Sequence, residues 1–104
     1  MTHAAWVLDH AETAPAALLD RVTALLSARL DWAALPTADA LLRAGEALIG
    51  EVVRHPEEVS RGAALDLLAA DACVTWAFEA AASEPWTIVG RASDTMQRIA
   101  DVGA

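Results

Sequence analysis

The sequence predicts an all-α fold: a compact bundle of four helices, with a fifth open at the N-terminus, in a single domain spanning 1–104. Three observations carry this expectation. Alanine fills 26 of 104 positions, and a side chain that loses no entropy in a helix and keeps neighbouring backbones close argues for thin helix–helix interfaces. Pro15, Pro36, Pro56 and Pro85 cut the chain into lengths of about 20 to 30 residues, each proline lying near a helix start, where its missing N–H costs nothing. Within those lengths apolar residues recur at about 100° per residue, the period of a helix with one buried face.

The first predicted helix runs roughly from Pro15 to Leu30, with Thr13 as its cap; Leu18, Leu19, Val22, Leu25, Leu26 and Leu30 form one arc, opposite Asp20, Thr23 and Ser27. The second, roughly Ala38 to Arg54 with Thr37 as cap, turns Leu41, Leu42, Leu48, Ile49, Val52 and Val53 inward. Asp39, Arg43, Glu46, Gly50 and Arg54 face water. Gly45 falls inside the apolar arc, where glycine costs about 1 kcal/mol relative to alanine, so close approach of another helix is the expected compensation. His55, before Pro56, is expected in a turn at the end of this helix.

The third helix, at about 60–83 with Ser60 or the His55–Pro56 turn at its start, is apolar nearly all round, the pattern of a central helix packed on several sides. Its expected outward strip is Asp66, Ala70 and Ala77. The fourth, roughly Trp86 to Val102, opens at Ser83 and Pro85 and gathers Ile88, Val89, Ala92, Met96, Ile99 and Ala100 on one face, with Arg91, Asp94, Gln97, Arg98 and Asp101 on the other. Residues 1–12, with Trp6, Val7 and Leu8, fit a short helix or an extended strap equally, and His3 and His10 are expected in solvent.

Composition narrows the function classes. A formal charge of −8 repels phosphate backbones, so nucleic-acid binding is not expected, while a basic partner is permitted. Seven arginines and no lysine, tyrosine or asparagine fit a GC-rich bacterial genome. The lone cysteine, Cys73, cannot form an intramolecular disulfide and reads as a small filler at the edge of the core. The N-terminal residues show no basic leader followed by an apolar block, and charges interrupt the longest apolar run, so a cytoplasmic protein without a membrane span is expected. His3, His10 and His55 lack the helical spacing of metal ligands, and no nucleophile elbow, phosphate loop or CxxC motif is present; no metal, cofactor or catalytic residue is expected.

One pattern stands out. Asp71, Thr75 and Glu79 repeat at i, i+4 and i+8 along the third helix, between apolar flanks that include Leu67, Val74 and Phe78 on one side and Leu68, Ala72 and Trp76 on the other. If the helix is central, both acids are buried, and a carboxylate taken out of water costs several kcal/mol unless it is paired or hydrated. Arg29 and Arg61 are the expected partners in structural ion pairs. The alternative is a pocket in which Asp71, Thr75, Glu79 and Trp76, with Arg61 and Arg29 holding an anionic group, bind or hydrolyse a small molecule. The leading expectation is a non-enzymatic interaction module that forms a homo-oligomer, a homodimer first, or docks a protein partner through alanine-rich helix surface.

Overall fold

The chain folds as a small bundle of α-helices. The structure, a computed structural model, describes residues 2–11, 13–55, 61–82 and 88–103, with backbone only at 88–94 and 103. Five helices follow one another: α1 His3–His10, α2 Ala16–Ala28, α3 Thr37–Arg54, α4 Arg61–Ala81 and α5 Ile88–Gly103, with a 3-10 turn at Leu30–Trp32 between α2 and α3. No strand occurs among the described residues. The radius of gyration is 13.3 Å, that of a closely packed chain of this length.

The undecided N-terminal segment is a helix. Thr2 has extended backbone and its hydroxyl accepts the Ala5 N–H at 3.0 Å, a cap that satisfies one of the donors left over at a helix start. Val7 points into the core and is fully buried. The caps expected from Thr13 and Thr37 do not form. Pro15 and Pro36 take the positions before α2 and α3 with φ of −57° and −55°, and their fixed backbone replaces a side-chain acceptor. The starts expected at Ser60, Pro56, Ser83 and Pro85, and the placement of Trp86, lie outside the described residues.

The most surrounded helix is α3, which packs against α1, α2, α4 and α5. It contributes Ala38, Ala40, Leu41, Leu42, Ala44, Gly45, Leu48 and Gly50 to the interior. The long apolar helix expected at 60–83 is α4, and among the described residues it packs mainly against α3 and, less extensively, against α2. Its packed side is lined by small groups: Ala69, Ala70, Cys73, Ala77 and Ala81 are buried together with Trp76. At Gly45 an added Cβ would stand 3.4 Å from the Ala70 carbonyl oxygen and 3.5 Å from Cys73 Cβ. The close approach expected there is present.

This packing corrects the predicted rotation of α4. Ala70 and Ala77, expected outside with Asp66, are inside, at 3% and 2% exposure, while Leu67, Leu68 and Phe78 are exposed. The physical reason is the thinness of the α3–α4 contact. Alanine, glycine and cysteine let two backbones meet, and the dispersion contacts of that meeting outweigh the burial of larger side chains that would hold the helices apart. Rotating α4 this way also leaves Asp71, Thr75 and Glu79 hydrated, which avoids the cost of stripping two carboxylates.

Similar small corrections occur elsewhere. Leu30 follows the end of α2 and is 82% exposed, Val53 is partly exposed, and Met96 faces solvent while Thr95 is buried. The rotation of α5 is fixed by Arg98, whose Nε donates to Glu46 Oε2 on α3 at 2.7 Å. On the opposite flank Arg21 Nε donates to Asp66 Oδ1 at 2.8 Å, tying α2 to α4.

Candidate functional site

The residues expected to form a site are dispersed by the fold. Asp71, Thr75 and Glu79 lie on the outer surface of α4, and the Thr75 hydroxyl donates to its own helix, to the Asp71 carbonyl at 3.2 Å. Trp76 faces inward instead and is 8% exposed. Arg29 does not reach either acid. It forms a fork with Asp31, Nε to Oδ1 at 3.0 Å and Nη2 to Oδ2 at 2.9 Å, and its guanidinium carbon lies 4.1 Å from the centre of the Trp32 ring. Arg61 is exposed at the start of α4, and among the described residues it has no hydrogen bond or ion pair to Glu79. The buried-acid premise therefore fails: the cost that would have demanded arginine partners is never incurred, because water reaches both carboxylates.

What α4 does present is a continuous outer face. Ala64, Leu68, Asp71, Thr75, Phe78 and Ala82 are all exposed, and their alternating four- and three-residue spacing is that of a helix–helix seam. Leu67, Leu68 and Phe78 are 52%, 61% and 40% exposed, so three large apolar side chains share one strip with two carboxylates. Scattered exposed apolar residues are ordinary, whereas grouping along one face marks a surface that can be covered.

A second feature lies away from that face. The end of α2, the 3-10 turn, the second half of α3 and the end of α5 border an open hollow of about 420 Å³. Arg29, Arg43 and Arg54 stand around it, Trp32, Ala47, Val53 and Val102 give it apolar walls, and Gly50 lies in its α3 wall. Asp31 raises the already high pKa of Arg29 through their hydrogen bonds, and Arg29 in turn lowers that of Asp31. Arg54 likewise holds the Glu51 carboxyl below its usual range, donating from Nη2 at 2.7 Å.

His3 is more engaged than expected, whereas His10 and His55 are exposed. His3 contacts Thr37 Oγ1 through Nδ1 at 3.1 Å and the Trp32 carbonyl through Nε2 at 2.9 Å, which pins α1 to the start of α3. His10 stacks on Trp6 at 4.0 Å. His55 ends α3 with its backbone N–H donating to the Val52 carbonyl. Trp32 plugs one end of the core at 5% exposure. Cys73 is fully buried, and burial pushes its thiol up to about 12, so it is an inert part of the interior.

Among the described residues no group of three or more His, Cys, Asp or Glu side chains is placed to hold a metal ion. No described helix is long and apolar enough to cross a membrane. No family model, curated protein or solved structure matches the chain.

Two features of this surface were illegible in the sequence. The hollow draws on residues from Arg29 to Val102, and the exposed face depends on which side of α4 meets α3. The signal that could have found the face was Gly45, since a glycine in an apolar arc needs small residues opposite it, and the small residues of α4 are Ala69, Ala70, Cys73 and Ala77.

Proposed function

We propose that this chain is a non-enzymatic docking module that takes an amphipathic helix of a basic protein partner on the outer face of α4. The observation that carries this reading is the exposure of Leu67, Leu68 and Phe78 on the strip that also holds Asp71 and Glu79. An apolar seam anchors a partner helix by its own apolar stripe, and flanking carboxylates select arginine or lysine beside that stripe. The formal charge of −8 adds a long-range attraction for the same partner.

Charge decides between a foreign helix and a second copy. Two copies of α4 packed antiparallel about Thr75 bring Asp71 of one against Glu79 of the other, and a parallel pairing sets each acid against itself. Like charges desolvated face to face are costly, so self-association through this seam is disfavoured at neutral pH.

The test uses a designed helical peptide with leucines at i, i+3, i+4 and i+7 flanked by arginines, and a matched peptide with glutamates in their place. The basic peptide is expected to bind saturably, more weakly as salt rises, and to lose affinity at least about tenfold in Leu68→Glu. Equal binding of the two peptides, indifference to Leu68→Glu, or a homodimer crosslinked through α4 would each overturn the reading.

A further inference from the structure

We infer that the hollow bounded by the 3-10 turn, α3 and α5 is a binding site for a small phosphate monoester carrying a flat apolar group. Three of the seven arginines of an acidic chain converge there. Asp31 and Glu51 offset Arg29 and Arg54 singly, Arg43 adds a third positive charge, and a dianion seated among the three guanidiniums is favoured. One carboxylate, Glu46, also lines the hollow, but it already accepts a hydrogen bond from Arg98 at 2.7 Å. Arg43 is exposed and has no partner among the described residues, so its guanidinium is free to turn toward a ligand.

The other two arginines are held in position by exposed carboxylates. Arg29 is oriented by Asp31 from one side and by the Trp32 ring beneath it. Arg54 is oriented by Glu51. Exposed pairs of this kind are weak, so a phosphate oxygen can take a share of their donors at little loss, and the planar guanidinium suits two oxygens of one phosphate.

Gly50 supplies an independent argument. It lies within α3, where glycine is unfavourable, yet an added Cβ would meet nothing closer than Arg54 Nη2 at 3.8 Å and Val102 Cγ1 at 3.9 Å. No tight helix contact explains it, in contrast to Gly45. A side chain at position 50 would instead project into the hollow and narrow it. A volume of about 420 Å³ falls within the ordinary size range of small-molecule sites, and the walls from Trp32, Ala47, Val53 and Val102 match an apolar body rather than a bare ion. This site is separate from the α4 face and does not depend on it.

The experiment titrates phenyl phosphate, inorganic phosphate and benzoate into the protein, reading the indole N–H of Trp32 and the backbone N–H of Gly50 by NMR. Phenyl phosphate is expected to shift both resonances saturably and to bind more tightly than either other probe. Its affinity should fall about tenfold or more in Arg43→Ala, the consequence of losing one charged hydrogen-bond donor. Gly50→Leu should abolish binding while retaining the helical circular dichroism of the parent, and Arg61→Ala, which does not line the hollow, should leave binding unchanged. Inorganic phosphate or benzoate binding as tightly as phenyl phosphate would overturn the proposed ligand class. Absence of saturation, or an Arg43→Ala variant that binds like the parent, would overturn the site.

Discussion

Two glycines on one helix provide a controlled measurement of how closely α3 and α4 pack. Each costs about 1 kcal/mol of helix propensity relative to alanine. At Gly50 the nearest groups to a new Cβ are 3.8 and 3.9 Å away, ordinary contacts, so Gly50→Ala should recover nearly all of that and stabilise the protein by about 1 kcal/mol. At Gly45 a new Cβ meets the Ala70 carbonyl oxygen at 3.4 Å and Cys73 Cβ at 3.5 Å. The carbonyl belongs to a helix backbone and cannot swing aside, so the gain in Gly45→Ala should shrink to between zero and about 1 kcal/mol. Gly45→Val adds two methyl groups where Val74 Cγ2 already stands 3.7 Å from the Cβ position, and overpacking of this kind costs about 1–3 kcal/mol. The expected order is Gly50→Ala, then Gly45→Ala, then parent, then Gly45→Val. Urea unfolding followed by far-ultraviolet circular dichroism resolves it, and each kcal/mol should move the thermal midpoint by roughly 4–8 °C in a domain of this size. A Gly45→Val protein as stable as the parent, with an unchanged denaturant slope, would refute the close α3–α4 contact.

Four further outcomes follow from the same contacts. Asp71→Ala and Glu79→Ala should each change stability by less than about 0.5 kcal/mol in chemical denaturation, because both groups are exposed; a loss of about 3–5 kcal/mol would mean that they are buried and paired after all. Arg98→Ala should cost about 1–3 kcal/mol, since it strands the Glu46 carboxylate, whose side chain is only 21% exposed, and a loss no greater than that of an exposed arginine would show that the bond does not hold α5. Cys73 has a thiol raised from 9.0 to about 12. The unfolded chain therefore releases this proton first, and stability should decline from above pH 9 toward 12, by at most about 1.4 kcal/mol per pH unit. The Cys73 contribution should vanish from the pH profile of Cys73→Ala. His3→Ala removes both links from α1 to Thr37 and Trp32, and should cost about 1–2 kcal/mol with loss of amide protection concentrated in α1.

The elements of the bundle were readable where one face was plainly apolar. Leu41, Leu42 and Leu48 lie in the core as their spacing required, as do Leu18, Val22 and Leu26. Helix α4 was legible in extent but not in rotation. A helix apolar all round gives periodicity no preferred side, and weighting by hydrophobicity chose Leu67, Leu68 and Phe78 over alanines whose value lies in being small. That choice carried Asp71 and Glu79 inward with it and produced the expected buried acids. The ties from Arg21 to Asp66 and from Arg98 to Glu46 span 45 and 52 residues, and only the folded geometry brings such partners together. Helix α1 was ambiguous because, apart from the Thr2 cap and the stacking of His10 on Trp6, the contacts that hold it come from outside the segment.

The most extensive packing in the molecule joins α3 to α4, two elements that are consecutive along the chain. Bringing neighbours together closes only a short loop, so the entropic barrier to making these contacts is low. The pair therefore has the properties of a folding nucleus: truncations at Ala44 and Ala70 should slow refolding, whereas truncations in α1 should mainly speed unfolding. The opposite partition in a chevron experiment would place the nucleus elsewhere. A bundle assembled from a tight central hairpin can also loosen its outer helices without dissolving its middle, so the slowest amide exchange belongs to the facing turns around Gly45 and Cys73.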